Sequence, residues 1–164
     1  MQISVNGIKL IRHHEGVRKK PYRCAAALWT CGVGHVLYPD QAKIPSTPEG
    51  MALRKAYLLK PEDNRLWSDE EIDNVLRKDL ARFERAIALY LPVPLRQNEF
   101  DAILSATFNM GAGWLQRSSL RQALLRGDKK AAMESLMKYC RAGGKILRGL
   151  QIRRLDERAL FEGK

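Results

Sequence analysis

Apolar residues recur at three- and four-residue steps through most of the chain and give way to a strand-like pattern only once. Val5, Ile8 and Ile11 follow Ser4, a helix-capping residue type, and Gly16 supplies a stop. A short helix is therefore predicted over about 4–14, with Glu15 at its C-terminal end. Between Pro21 and Leu37, Tyr22, Trp29, Thr30, Val33 and Val36 favour strands, while Gly32 and Gly34 loosen the backbone. This predicts a small β-hairpin or three-stranded sheet. Its turn, Ala25–Ala27, lacks the Gly or Asn of a tight hairpin.

Residues 39–67 hold four of the seven prolines and one helical patch around Met51–Leu59, the mark of a surface excursion. Ser68 and Glu71 then form a capping box ahead of Ile72, Val75, Leu76, Leu80, Phe83, Ile87 and Leu91. That spacing predicts a long amphipathic helix over about 69–91, ended by Pro92. Helices are predicted over 95–109, 119–126, 129–140 with Asp128 as cap, and 150–162, with a short turn near 114–117. The fold class that follows is α+β, mostly α, in one domain. A β-containing lobe over about 14–67 is joined by the long helix to a helical lobe over about 92–164, packed with helix 4–14. A cleft is expected between the lobes.

Composition sharpens this outline. A chain of 164 residues can bury roughly 68–70% of its unfolded surface in one core. With 45% apolar and 29% charged residues it has an ordinary globular composition. No apolar run approaches the ~18 residues of a membrane span, and the N-terminus lacks the pattern of a cleaved signal. Synthesis in the cytoplasm is the expectation. Cys24, Cys31 and Cys140 are too few for a disulfide scaffold. The formal charge is +11, and residues 117–164 carry thirteen Lys or Arg against five Asp or Glu. Such a field favours encounter with a polyanion and does not identify which one.

Candidate chemistry centres on "EGVRKKPYRCAAALWTCGVGH". Glu15 is followed by eight residues and then Cys24, and five more lead to Thr30. A carboxyl held against apolar walls keeps its proton near neutral pH and can give it to a leaving group. A free thiol is ionised to only a few per cent at neutral pH unless Lys19, Lys20 or Arg23 lowers its pKa. Cys31 and Cys140 read as buried apolar residues. Adjacent His13 and His14 should diverge on a helix, so no metal and no cofactor is expected. Trp29 and Trp114 are read as core.

The run "HHEGVRKKPYRCAAALWTCGVGHV" resembles the signature of the phage-type lysozymes, the endolysins that cut peptidoglycan glycan strands. Members pair a Glu with an Asp, or in a subset a Cys, after eight residues, and with a Thr five further on. "SATFNMGAG" at 105–113 and "GLQIRRLDERALF" at 149–161 resemble later family segments, in family order. Residues 39–67 have no clear counterpart in shorter members.

The resemblance implies a muramidase that hydrolyses the β-1,4 bond between N-acetylmuramic acid and N-acetylglucosamine. Glu15 would be the general acid, Cys24 the second catalytic group and Thr30 a holder of the attacking water. His35 would orient the sheet, Asn109 would contact substrate, and Arg153, or Arg154 in its stead, would tune Glu15. Cys24 is either a base or electrostatic partner, or a nucleophile. Oxidation to a Cys24–Cys31 disulfide is a further hypothesis.

The competing readings are a non-catalytic peptidoglycan-binding module and a lytic transglycosylase. Nucleic-acid binding rests on charge alone, with no recognition motif. Membrane disruption by the C-terminal helices is opposed by Asp156, Glu157 and Glu162, which interrupt a cationic face. Partners are therefore peptidoglycan strands, with anionic wall polymers or outer-membrane lipids for the basic C-terminal third. A monomer is expected, acting at the wall or periplasm after holin-type release.

Overall fold

The first helix, α1 (Val5–Glu15), starts where its cap requires. Ser4 Oγ accepts the backbone N–H groups of Asn6 and Gly7 at 3.1 and 3.4 Å, and Gly16 closes the helix at φ 75°. The computed structural model describes all 164 residues, with eight α-helices, two short 3-10 helices and five short strands. They divide into two units: Glu15–Asp79, and Met1–His14 with Leu80–Lys164. No helix is long and apolar enough to cross a membrane.

In the Glu15–Asp79 unit, β1 (Arg18–Arg23), β2 (Trp29–Gly32) and β3 (His35–Val36) form an antiparallel sheet in sequence order. The first strand begins at Arg18, ahead of the expected Pro21. An irregularity between Arg18 and Tyr22 takes up Pro21, which is tolerated because β1 is an edge strand and Pro has no N–H to offer. Gly32 stands at φ 62°, and a Cβ there would meet Ile72 at 3.1 Å, so the sheet can lie against the following helix only with glycine at this place.

The 39–67 excursion carries α2 (Pro48–Ala56), capped by Thr47, whose hydroxyl accepts the Gly50 N–H at 3.1 Å. The helix lies three residues earlier than the apolar spacing suggested, because Thr47-Pro48 provides the start signal. The capping box at α3 (Asp69–Tyr90) forms as expected, with Ser68 and Glu71 exchanging bonds of 2.8 and 3.1 Å. Arg65 donates to the same carboxylate and holds the Glu71 pKa down to about 2. The boundary between the units falls inside α3, after Asp79.

The helical unit is built on α4 (Gln97–Met110), buried along Glu99–Thr107. Around it come α5 (Ala112–Arg117), α6 (Ser119–Leu125) and α7 (Lys129–Leu136), the last capped by Asp128. Leu80, Ile87, Ile103, Leu104, Leu115, Leu120 and Leu136 are fully buried and form its core. Helix α7 stops at Leu136, short of the expected 140. The chain then makes an unexpected hairpin, β4 (Arg141–Ala142) and β5 (Lys145–Ile146), before α8 (Arg148–Glu162). Gly143 and Gly144 turn it at φ 55° and 77°, the two positive φ values a primed hairpin turn demands.

Candidate active site

Cys24 lies at the end of β1, where the chain reverses into β2. Its N–H donates to the Leu28 carbonyl at 3.0 Å, and the Ala27 N–H donates to the Cys24 carbonyl at 2.8 Å. Ala27 makes this turn at φ 59°, a left-handed conformation rarely taken by a residue with a side chain. Burial pushes the Cys24 thiol up. Bonds from the Leu28 N–H, the Thr30 hydroxyl and the Ala26 N–H outweigh it, so the pKa falls below the ordinary thiol value.

The cations expected to do this are directed elsewhere. Lys19 pairs with Asp69 at 2.6 Å. Arg23 stacks its guanidinium over Trp29 at 4.3 Å and gives its N–H groups to backbone carbonyls. Strand geometry turns both side chains from the sulfur, and neutral donors stabilise the charge instead.

Thr30 is buried, and its hydroxyl donates to the Leu28 carbonyl at 3.0 Å as well as lying beside Cys24. Cys31, the next residue on β2, leaves the opposite face, as alternation requires. It is buried, and its thiol donates to the Arg18 carbonyl at 3.4 Å. All three cysteines are free, and the facing of Cys31 denies Cys24 the partner that the disulfide hypothesis needs.

Glu15 ends α1 as expected, but it is exposed rather than enclosed by apolar walls. It belongs with Cys24 and Thr30 to the Glu15–Asp79 unit. His35 on β3 meets Asp79 of α3, Nδ1 to Oδ2 2.8 Å, which fixes the orientation of the imidazole ring. Asp79 has no motif in the sequence to reveal it. His13 and His14 do not diverge as expected. Their rings are 4.9 Å apart, and with Asp156 they bring ligand-type atoms within 4.8 Å of one another. His14 Nε2 lies 3.0 Å from Asp156. Burial, then Arg153, lowers the His14 pKa against the opposing pull of Asp156.

Asn109 and Arg153 lie in the helical unit, Arg153 in a buried charged cluster and Asn109 exposed at its edge near the end of α4. Glu157 Oε1 accepts from Ser105 Oγ at 2.8 Å, Arg153 Nε at 3.1 Å and Arg154 Nη2 at 3.2 Å. Arg154 also donates to Asn109 Oδ1 at 2.9 Å. Glu157 is fully buried and so does not interrupt any surface face; Asp156 and Glu162 are paired with His14 and with Arg158 and Lys164. Trp29 and Trp114 are half-buried, the first donating to the Tyr57 carbonyl at 2.8 Å and the second packed on Tyr139.

A small antiparallel sheet in a largely helical chain gives a lysozyme-like α+β fold. The phage lysozyme family model matches residues 12–157. An endolysin of Acyrthosiphon pisum secondary endosymbiont phage 1 is 35% identical, with 99% of each chain covered. The endolysin of Bacillus phage B103 is 32% identical over 98% of this chain, which spans 54% of that protein. A crystal structure of a P22 lysozyme mutant superposes with a TM-score of 0.77 at 30% identity, covering 99% of both chains. The chain belongs to the phage lysozyme family. It is a lysozyme, an endolysin that hydrolyses the bacterial cell wall.

Proposed function

We propose that the enzyme cuts the β-1,4 bond between N-acetylmuramic acid and N-acetylglucosamine with inversion, using Glu15 as acid and the Cys24 thiolate as base. Glu15 gives its proton to the glycosidic oxygen as the bond from the anomeric carbon to that oxygen breaks. A water held by Thr30 attacks that carbon from the opposite face and passes its proton to the Cys24 sulfur. Asn109 serves as a substrate contact, and Arg153 tunes Glu15 in charge and orientation.

One observation carries this choice of role for Cys24: it sits in a tight turn, closed by its own N–H on the Leu28 carbonyl at 3.0 Å and the Ala27 N–H on its carbonyl at 2.8 Å, whose nearby donors lower the thiol pKa. Those donors keep the thiolate populated and occupy its lone pairs. A lowered pKa weakens a sulfur as a base and, less steeply, as a nucleophile, so the donors favour the thiolate charge itself, and the anomeric configuration of the product separates proton acceptance from attack on carbon.

Proton NMR of the new anomeric centre on a defined glycan tests the role. Inversion by wild type and by Cys24→Asp is the expected result. Retention by wild type would make Cys24 a nucleophile, and an anhydro end would overturn hydrolysis in favour of transglycosylation.

The thiolate fraction at Cys24 rises with pH through a midpoint below the ordinary thiol value. Thr30→Val removes a donor and moves that midpoint up, which peptide-resolved alkylation of Cys24 across pH measures. An unmoved midpoint would remove Thr30 from the donors that hold the thiolate.

The anionic partners are read from the surface of the final third. Residues 135–155 contain no Asp or Glu, and the exposed β4–β5 hairpin offers Arg141 and Lys145. We assign this face to anionic wall polymers or outer-membrane lipids met after holin-type release. Loss of binding to anionic wall fragments with rising salt accompanies that role.

A further inference from the structure

The excursion at 39–67 has no chemistry of its own, yet its buried Arg54 reaches the turn that holds Cys24. Arg54, on α2, is almost wholly buried. Its Nη1 donates to the Ala26 carbonyl at 3.1 Å, while Nε donates to the Ile44 carbonyl at 3.1 Å and Nη2 bonds the same oxygen. Arg23, at the end of β1, donates from Nη1 to the Ala27 carbonyl at 2.9 Å and to the Arg54 carbonyl at 2.7 Å. Its Nη2 reaches the Tyr57 carbonyl at 2.5 Å, which also accepts from Trp29 Nε1. Two guanidiniums therefore tie consecutive carbonyls of the turn to α2 and the residue after it.

Peptide planarity converts these ties into a direction. In a trans peptide the C=O and the next residue's N–H point to opposite sides of the chain. Arg23 draws the Ala27 carbonyl to one side, so the Leu28 N–H is turned to the other, in a turn that the Cys24 N–H closes on the Leu28 carbonyl at 3.0 Å. Arg54 does the same for the preceding plane, whose Ala27 N–H closes onto the Cys24 carbonyl at 2.8 Å. The intervening Ala27 is held at φ 59°, a left-handed conformation that is unfavourable for a residue with a side chain. Left to itself, that residue would relax and both planes would rotate.

We propose that residues 39–67 act as a brace for the catalytic turn, and that Arg54 and Arg23 are positioning residues which aim the Leu28 N–H at the Cys24 sulfur. The excursion thus belongs to the catalytic apparatus without touching substrate. Arg54 holds the turn from outside, through a segment absent from the turn's own sequence neighbourhood. Arg23 couples the two by gripping a carbonyl on each. This reading rests on Cys24 acting as a thiolate, but it is tested by a property of the sulfur that does not require turnover.

The test is peptide-resolved alkylation of Cys24 with iodoacetamide across pH, on the full chain, alongside kcat and KM on a soluble glycan. Arg54→Met and Arg23→Lys are expected to raise the half-maximal alkylation pH by about one unit, a tenfold loss of thiolate at neutral pH. The kcat should fall by a similar factor with KM little changed, and Arg54→Lys, which keeps a donor, should recover part of the shift. An unmoved alkylation midpoint in folded Arg54→Met and Arg23→Lys overturns the brace. If Arg54→Met does not fold, the midpoints of Arg23→Lys and Arg54→Lys decide in the same way. Wild-type turnover in Cys24→Ala would instead sink the catalytic role of the thiol, whatever the alkylation shows.

Discussion

Glu15→Gln lowers the rate of cell-wall clearing by ~10²–10⁴-fold, the usual share of a general acid. Glutamine keeps the shape of the side chain but has no acidic proton to give to the leaving sugar's oxygen. The position is exposed at the end of α1, so the substitution should change stability by only about 0.5 kcal/mol. Turbidity of a cell-wall suspension measures the first effect and thermal unfolding the second. Retained binding to insoluble peptidoglycan, with clearing abolished, separates loss of chemistry from loss of recognition. Equal clearing by the variant and the wild type would remove Glu15 from the mechanism.

Glu157→Ala is expected to cost ~3–5 kcal/mol, because it withdraws the carboxylate from two guanidiniums that have no access to water through their own surfaces. Arg153 is nearly and Arg154 completely buried, and both bond Glu157 between α8 residues one turn apart. Ser105 of α4 completes the group, so the loss also loosens the contact between these two helices. For a chain of this length the melting temperature should fall by on the order of 10 °C. Removing all three charges together, with Arg153→Met, Arg154→Leu and Glu157→Leu, should cost far less than removing Glu157 alone. Calorimetry on the two proteins distinguishes an ionic cluster that is stabilising from one that is merely self-compensating. A drop of less than about 1 kcal/mol in Glu157→Ala would show that solvent reaches the guanidiniums after all.

Local signals made much of the helical architecture readable. Ser4, the Ser68–Glu71 pair and Asp128 cap helices through bonds to nearby residues, and their effect is visible in a short window of sequence. The β4–β5 hairpin was equally local, and its Gly143–Gly144 pair is a turn signal, but strong helical periodicity on both sides concealed it. The core site behaved differently. The spacing of Glu15, Cys24 and Thr30 pointed to family chemistry, while the groups that serve them come from distant stretches. Asp79 joins His35 across 44 positions, and Arg54 reaches Ala26 across 28. No periodicity marks such partners, because a side chain bonding to a remote carbonyl leaves no pattern near itself. Glu157 failed in the opposite direction: a carboxylate in a basic, apparently solvated helix reads as surface until the fold shows two arginines turning inward with it.

The brace on the catalytic turn also bears on how such enzymes can be recombined. A designer who shortens 39–67 to match a smaller relative removes Arg54 and the Tyr57 carbonyl together, and leaves Arg23 with only its own turn to hold. Replacing Cys24 with Asp gives the site a group already ionised at neutral pH, and so reduces its dependence on those donors. The excursion and the cysteine then work as a pair, and grafts should transfer both or neither.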